Sequence, residues 1–240
     1  MSGNTFGGSA TSVTLSHNGA GTLSPTSASA SPFSFAYTPA AGDAGNTVTI
    51  TVTTDNPLGS PCTAASATYD LTVNDLPAVG GATSVCVGAT ANVTPSTGGT
   101  WSSSNTAVAT ITNAGVVSGV AAGNTVLTFT NSTTNCSNTV TFTVTAKPNA
   151  GADQSVACYS SGTATMAASG SGTWTLGAGS AGTASIANST SPTTTVSSFS
   201  AAGTYYMIWT NSGCSDTANI VVGSSCGCAN APTVTLSATS

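Results

Sequence analysis

One pattern recurs three times along this sequence: an alternating apolar run, a turn rich in Asn, Asp or Gly, and then a cysteine. The pattern ends at Cys62, Cys136 and Cys214, so the repeat is about 75 residues long. A further alternating run follows each cysteine, in the stretches ATYDLTV, NTVTFTVTA and DTANIVVG. Short alternating runs separated by turn residues at this spacing predict tandem β-sandwich modules.

Proline-containing segments separate the repeats, because NDLPAVGG follows the first and AKPNAGADQ follows the second. Proline stiffens such linkers and removes a ladder donor. We therefore predict repeat one at residues 1–76, repeat two at 77–147 and repeat three at 148–223. Residues 224–240 are expected to begin a fourth repeat or to form a strand-donating tail, since APTVTLSATS resembles ATSVTLSHNG near the start.

Repeat one is degenerate relative to the other two. GGTWSSS around Trp101 matches SGTWTLG around Trp174, whereas GAGTLSPTS in repeat one places Leu23 at the tryptophan position. Repeat one also lacks the first cysteine of the pattern, because alignment with the fourth repeat puts Gly7 opposite Cys228.

The composition favours strands and excludes nucleic acid as a partner. The chain holds one Lys or Arg and six acidic residues in 240, for a net charge of −5. Helix surfaces normally need Glu, Lys and Arg, whereas Thr and Val favour strands. Phosphate contacts need Lys and Arg, so we expect no nucleic acid. No apolar run reaches the length of a spanning helix, and the first residues lack the pattern of a signal peptide.

Repeats two and three each contain Cys, Trp and Cys in that order, the arrangement in which an indole packs on a disulfide between two sheets. This order predicts the disulfides Cys86–Cys136 and Cys158–Cys214. Closing loops of about 50 residues would stabilise each repeat by about 4 kcal/mol in the chain-entropy model. Disulfides also indicate an oxidising compartment, so we expect an extracellular protein.

The same order predicts that Trp101 and Trp174 lie in the cores of their repeats. Three cysteines, Cys62, Cys226 and Cys228, have no assigned partner. For Cys62 the alternatives are a free thiol, a long-range bridge and a bond to a neighbouring chain. A zinc site is not expected, because no histidine lies near any cysteine pair and the spacing of Cys-Gly-Cys is wrong.

Residues 101–128, WSSSNTAVATITNAGVVSGVAAGNTVLT, resemble the bacterial Ig-like group 2 domain of invasin- and intimin-type adhesins. Repeats one and three are similar to PKD-like and Ig-like repeats of very long surface proteins of gliding Bacteroidota. FAYTPAAGDAGNTVTITVTTDNPLGSPC and PNAGADQSVAC, followed by GTW, carry that likeness. The resemblance implies β-sandwich modules, type IX secretion and a role in cell adhesion or gliding motility at the bacterial cell surface.

The residues that catalysis or metal binding would need are sparse. His17 is the one histidine and has no counterpart in the other repeats, so we expect no enzyme. Asp75 and Asp153 lie where repeats meet, but calcium takes six to eight oxygens from several carboxylates. We expect no cofactor, with calcium at these junctions as the alternative.

Two stretches, TYYMIWT and DTANI, contain residues that could bind a ligand or carry a glycan at the surface. Tyr205 and Trp209 share one face of an alternating run and would form a ligand patch if that face were exposed. Thr217, in Asp-Thr-Ala, resembles the O-glycosylation site of Bacteroidota.

Together these features predict an all-β chain of tandem Ig-like β-sandwich modules in an elongated array. We expect it to be a non-catalytic stalk or filament segment of an extracellular bacterial surface adhesin. One alternative is a self-assembling filament or sheath subunit, in which residues 231–240 add as a strand to repeat one of the next copy. The other is a carbohydrate-binding module array. The expected partners are neighbouring repeats, copies of the same protein and surface glycans.

Overall fold

The computed structural model describes residues 1–224 and residue 226, and it contains strands, turns and one 3₁₀ turn at Ala41–Asp43. The predicted all-β fold is confirmed, because none of the described residues lies in an α-helix. Accordingly, nothing in this part of the chain is a helix long and apolar enough to cross a membrane. Cys228 and the stretch at 231–240 lie outside the described residues.

The described chain forms two compact units. Unit one comprises Met1–Val79, Thr94–Trp101 and Thr128–Thr139, and unit two comprises Gly80–Val93, Ser102–Leu127 and the residues from Val140 onward. The boundaries of repeats one, two and three stay a prediction, and these names denote the residue ranges given above.

Repeat one lies in unit one and contains a four-stranded sheet and a two-stranded ribbon. Its six strands are β1 (Val13–His17), β2 (Thr22–Ser24), β3 (Ser27–Ala28), β4 (Ala36–Thr38), β5 (Thr47–Thr54) and β6 (Ser66–Thr72). The sheet has the order β3-β1-β5-β6 and is antiparallel throughout, and β2 pairs with β4. The buried apolar side chains of this repeat are Val13, Leu15, Leu23, Phe33, Phe35, Val48 and Ile50.

Repeat two has the strand order of an immunoglobulin sandwich. Its eight strands are β7 (Gly80–Gly81), β8 (Ser84–Cys86), β9 (Thr90–Thr94), β10 (Gly99–Ser103), β11 (Ala109–Ile111), β12 (Val116–Gly119), β13 (Gly123–Asn131) and β14 (Ser137–Thr145). One sheet has the order β11-β12-β9-β7 and the other β10-β13-β14-β8. These orders match the D-E-B-A and C-F-G sheets of the immunoglobulin fold, with β8 added in parallel beside β14.

Repeat three has the same plan with a shorter second sheet and lies in unit two. Its seven strands are β15 (Gln154–Val156), β16 (Ala164–Thr165), β17 (Thr173–Leu176), β18 (Ser185–Ile186), β19 (Thr195–Ser197), β20 (Gly203–Asn211) and β21 (Cys214–Val222). The sheets have the orders β15-β21-β20-β17 and β16-β19-β18. Its core is rich in aromatic and sulfur-containing side chains, among them Trp174, Trp209, Tyr205, Met166 and Met207.

The alternation of apolar and hydroxyl residues decides which face of each strand is buried. On β21, Ala218, Ile220 and Val222 are buried, whereas Val221 between them is exposed. On β5, Val48 and Ile50 are buried among threonines. Since successive side chains of a strand point to opposite faces, one face packs into the core and the other is hydrated through hydroxyl groups.

The alignment of Leu23 with the tryptophan position is wrong. Trp174 lies on β17 next to β20, whereas Leu23 lies on β2, which pairs with β4 outside the main sheet. The strand that pairs with β5 is β1, and it places Leu15 opposite Val52. The glycine two residues before Leu23 lies close against the neighbouring strand, because a Cβ on Gly21 would lie 2.2 Å from the Thr38 carbonyl oxygen and 2.7 Å from the hydroxyl oxygen of Tyr37.

Candidate functional site

A disulfide between Cys86 and Cys214 joins the predicted repeats two and three, and both of its cysteines lie in unit two. The two residues are 128 positions apart in sequence. Cys86 is the last residue of β8, and Cys214 is the first residue of β21. The bridge therefore ties an edge strand of one repeat to a hairpin tip of the other.

The hairpin between β20 and β21 presents Cys214 at its tip. Asn211 pairs with Cys214, so Ser212 and Gly213 form a two-residue loop. Both loop residues have positive φ, 50° for Ser212 and 78° for Gly213. This is the geometry of a type I′ turn, whose twist matches that of the flanking strands, so the sequence Asn-Ser-Gly-Cys fixes the cysteine at the end of a tight hairpin.

Backbone pairing positions Cys86. The strand β8 runs parallel to the end of β14, with Cys86 opposite Thr145, and the next amide, that of Val87, donates to the Thr145 carbonyl oxygen at 2.9 Å. Gly119 allows this close approach, because a Cβ on it would lie 2.7 Å from the Cys86 carbonyl oxygen.

The predicted disulfides Cys86–Cys136 and Cys158–Cys214 are wrong. In repeat three Cys214 begins β21, whereas Cys158 pairs with Ser224 just beyond the other end of that strand. A nine-residue strand is about 30 Å long, and a disulfide needs Cα atoms about 5.5 Å apart. In repeat two Cys136 precedes β14 and Cys86 pairs with its last residue, so the same geometry applies.

The sequence contained a signal for this outcome. Both Cys136 and Cys214 directly follow turn residues, Asn-Ser-Thr-Thr-Asn and Asn-Ser-Gly, rather than lying within an alternating run. A cysteine at a hairpin tip faces away from the middle of its own sandwich, so its partner is to be sought at the end of a different element.

The remaining cysteines are placed as follows. Cys158 forms a second disulfide with Cys226, which had no assigned partner. Cys62 is an exposed free thiol, and Cys136 is a half-buried free thiol. The last of the unassigned cysteines, Cys228, lies outside the described residues.

An ion pair lies near the bridge. Lys147, which is 54% exposed, contacts Asp216 with its Nζ atom 2.8 Å from Oδ1, and the other carboxylate oxygen accepts the Ala150 N–H at 2.9 Å. The pKa of Asp216 is lowered, first by the Ala150 hydrogen bond and then by Lys147. No motif in the sequence points to this pair, although Lys147 is the one Lys or Arg in the chain.

A shallow groove of about 420 Å³ lies beside the bridge, lined by Cys86 to Ala89, Lys147, Gly213 and Ser215. Backbone atoms and small side chains form most of this lining. The groove therefore offers one cationic group and few side chains that could grip a ligand, and its chief chemical feature is the covalent link.

The indole groups of Trp101 and Trp174 are buried against aromatic rings. Trp174 pairs across strands with Trp209, with ring centroids 5.0 Å apart, and its Nε1 donates to the Ser191 carbonyl oxygen at 3.1 Å. The ring centroid of Trp101 lies 5.2 Å from that of Phe129.

The expected ligand patch of Tyr205 and Trp209 is wrong, because both side chains are fully buried in repeat three. The Tyr205 hydroxyl donates to the Ala201 carbonyl oxygen at 2.9 Å, and the Trp209 Nε1 donates to the Ser169 carbonyl oxygen at 3.2 Å. The strand exposes Tyr206 instead. Thr217, the possible glycosylation residue, is exposed on β21.

Asp153 makes hydrogen bonds within the protein. It accepts the backbone N–H of Asn219 at 2.8 Å and the side-chain amide of the same residue at 3.2 Å. A Cβ on Gly45 would lie 2.7 Å from a carboxylate oxygen of Asp75. No group of three or more His, Cys, Asp or Glu side chains that could hold a metal occurs among the described residues.

In unit one, His17 and a buried carboxylate lie near one tyrosine. The His17 ring lies edge-on to Tyr37, with centroids 5.0 Å apart. Asp43 is buried and accepts hydrogen bonds from the Tyr37 hydroxyl at 2.7 Å and from the N–H groups of Ala20 and Ala40. The two backbone hydrogen bonds lower the pKa of Asp43, whereas burial and the Asp43 contact raise the pKa of Tyr37. These bonds tie the 3₁₀ turn to the loop before β2.

In comparisons with known proteins, no family model and no curated protein matches this chain. Among solved structures, it is similar to the S-layer protein rSbsC, with a TM-score of 0.27 and 15% identity over 91% of this chain and 36% of that one. It is similar to an I-band fragment of titin (TM-score 0.28, 11% identity, 88% and 87% covered) and to immunoglobulin domains of Sidekick-1 (0.24, 12%, 88% and 52%). The chain thus spans just over a third of the S-layer structure, and TM-scores of this size carry no inference about function.

Proposed function

We propose that this chain is a non-catalytic, force-resisting segment of an extracellular bacterial surface protein. The observation that carries the proposal is the Cys86–Cys214 disulfide, because it links the predicted repeats two and three instead of stapling one of them. A bridge inside one repeat protects that repeat alone. A bridge between repeats limits how far the chain can be drawn out when one of them unfolds.

The stabilisation expected from the Cys86–Cys214 disulfide is large enough for a force-resisting role. In the chain-entropy model, a closed loop of 128 residues stabilises the folded state by about 5 kcal/mol. The second bridge, Cys158–Cys226, begins inside that loop and ends outside it, so the two loops overlap. Disulfides persist in oxidising compartments, which supports an extracellular location. Bacterial origin, adhesion, gliding and type IX secretion rest on the sequence resemblance of the repeats.

The carbohydrate-binding alternative loses its two candidate residues, because Tyr205 and Trp209 are buried. Surface glycans as partners and glycosylation of Thr217 stay predictions. Calcium at the junctions stays a prediction, and both carboxylate oxygens of Asp153 accept hydrogen bonds from Asn219.

Single-molecule extension of the 240-residue chain, pulled by its ends, tests the proposal. With both bridges intact, the shortest covalent path from residue 86 to residue 226 runs through Cys214 and only 12 further residues. Reduction opens the whole loop and should add about 450 Å to the fully extended length.

Two matched variants separate the bridges. Cys86→Ser should add about 200 Å in the oxidised chain, because the path then follows residues 86–158 and crosses the second bridge. Cys158→Ser should add nothing, because the first bridge still gives the shortest path. Equal lengths for the oxidised chain and Cys86→Ser would show that no such link limits extension.

A further inference from the structure

The strand β6 of repeat one has a free edge. It lies at the end of the sheet β3-β1-β5-β6 and pairs only with β5 among the described residues. The corresponding last strands of repeats two and three are covered on that side. The strand β14 is paired in parallel with β8 at Thr143–Thr145, and β21 is paired in parallel with β15 at Ile220–Val222.

The side chains of β6 that face inward are also left uncovered. Tyr69 pairs with Ile50 and Leu71 pairs with Val48, so these residues share one face of the sheet. Ile50 and Val48 are fully buried, yet Tyr69 is 51% exposed and Leu71 is only half-buried. On β21 the corresponding inward residues are buried.

The parallel strands of the other repeats show what is missing. Val85 of β8 lies opposite Val144, and Val156 of β15 lies opposite Val222, so each adds an apolar side chain to the inward face. In both repeats the contact is made at the last three residues of the covered strand. The equivalent position in repeat one is the outer edge of Asp70, Leu71 and Thr72.

We propose that the outer edge of β6 at residues 70–72 binds, in parallel, the segment 231–240 of a second copy of this chain. The added strand supplies backbone partners to the edge and places apolar side chains over Tyr69 and Leu71. This assembly goes beyond the force-resisting role proposed above and does not depend on it.

The sequence of the segment favours it as the occupant. APTVTLSATS alternates, with Val234 and Leu236 on one face, and residues 227–240 carry no charged side chain that Asp70 could repel. Its Thr233 follows the end of β21 by 11 residues, and β8 and β15 begin 12 and 9 residues after the ends of β6 and β14. Strand addition of this kind takes affinity from main-chain hydrogen bonds and specificity from alternate side chains.

The first test is the association state of the oxidised 240-residue chain, measured by analytical ultracentrifugation over a range of concentrations. All samples carry Cys62→Ser, so that the exposed thiol cannot link chains. The full chain should self-associate, and a chain shortened to residues 1–228 should be monomeric. A full chain that is monomeric throughout, or a shortened chain that associates equally well, would overturn the proposal.

The second test uses a labelled peptide of residues 231–240 and the shortened chain. Binding, followed by fluorescence anisotropy, should be saturable and should slow hydrogen exchange at the amides of β6. A peptide with serine in place of Val234 and Leu236 is the matched control and should bind at least about ten-fold more weakly. Protection at another edge instead of β6, or equal binding of both peptides, would refute the assignment.

Substitutions on the two faces of β6 locate the contact. Leu71→Asp should weaken peptide binding at least about ten-fold, whereas Thr68→Asp, on the outward face of the same strand, should change it less than about two-fold. Tyr69→Asp is a second variant, chosen because its side chain is already half exposed and its loss spares the folded core. Equal effects of the inward and outward substitutions would contradict the proposal.

Discussion

Repeats one and three arise from the same sequence pattern but are stabilised by different means. Repeat three holds Cys158 and Cys214, each in a disulfide, and a core built around the Trp174–Trp209 pair. Repeat one has no disulfide among its described residues, and it holds the buried carboxylate of Asp43 in a network of hydrogen bonds. The comparison shows that a repeated strand pattern specifies a sandwich without specifying what stabilises it.

The difference follows from single residues. A thiol at the hairpin tip allows repeat three to be tied to β8, whereas the tip cysteine of repeat one, Cys62, is free. Conversely, Asp43 lies in the 3₁₀ turn before β5 and accepts two backbone N–H groups at 2.6 and 2.9 Å. We therefore expect the stability of repeat three to depend on redox state and that of repeat one to depend on pH.

Reduction of the disulfides should produce the largest difference in stability between repeats three and one. Opening Cys86–Cys214 removes about 5 kcal/mol of loop-closure stabilisation in the chain-entropy model. Hydrogen exchange measured by mass spectrometry, with and without a thiol reductant, should show lost protection in repeat three and little change in repeat one. Cys62→Ser is the control and should leave both patterns unchanged. Equal loss of protection in the two repeats would show that their stabilities do not differ in their dependence on redox state.

Truncation of the tryptophan pair should have the next largest effect. Trp209 is fully buried and its ring centroid lies 5.0 Å from that of Trp174, so Trp209→Ala should cost about 3–5 kcal/mol. Urea unfolding followed by fluorescence of the remaining tryptophans measures this loss. Tyr206→Ala, on the exposed face of the same strand, should cost under about 1 kcal/mol. Similar costs would mean that the two faces of β20 are not distinct.

Much of the fold could be predicted from alternation alone. The stretch TVTITVT places Val48 and Ile50 two residues apart, and both are buried on β5. Alternation failed where both faces of a strand are apolar. In TYYMIWT, the set Tyr205, Met207 and Trp209 and the set Tyr206 and Ile208 are equally apolar, so polarity could not tell which is buried.

The pairing of the cysteines could not be read from their order. Cys-Trp-Cys suggested a bridge across one sandwich, but such a bridge needs cysteines in the middle of facing strands. Here the cysteines lie at the ends of strands. Each partner is therefore decided by which other part of the folded chain lies beside that strand end. Similarly, the register that brings Cys86 opposite Thr145 is a parallel pairing across about 60 residues of sequence, and no local turn specifies it.

Acidification should destabilise repeat one more than repeat three, whereas reduction should destabilise repeat three more. The folded-state pKa of Asp43 lies below its ordinary value of 3.8, so its stabilising contribution is present above that value and is lost as pH falls through the folded pKa. The pKa of Asp55 is lowered as well, by hydrogen bonds from Thr11. Asp43→Asn should lower the urea midpoint of repeat one at pH 7, and the difference should vanish in acid. Tyr37→Phe, which removes a single donor, should have a smaller effect.

The smallest expected effect concerns the ion pair between Lys147, at the end of repeat two, and Asp216 of repeat three. Lys147→Met removes the charge that faces Asp216 but keeps most of the apolar stem. Because the two side chains are 54% and 24% exposed, water and salt screen the attraction, and the loss should be about 0.2–1 kcal/mol. The Asp216 carboxylate keeps its hydrogen bond from the Ala150 N–H, which is the larger cause of its lowered pKa. The urea midpoint should therefore shift slightly at low salt and not at 1 M salt, where the Debye length is about 3 Å. A large, salt-independent loss of stability would mean that Lys147 stabilises its contact with repeat three by packing rather than by charge. Repeat three would then depend on redox state and not on this charge, whereas repeat one depends on the charge of Asp43.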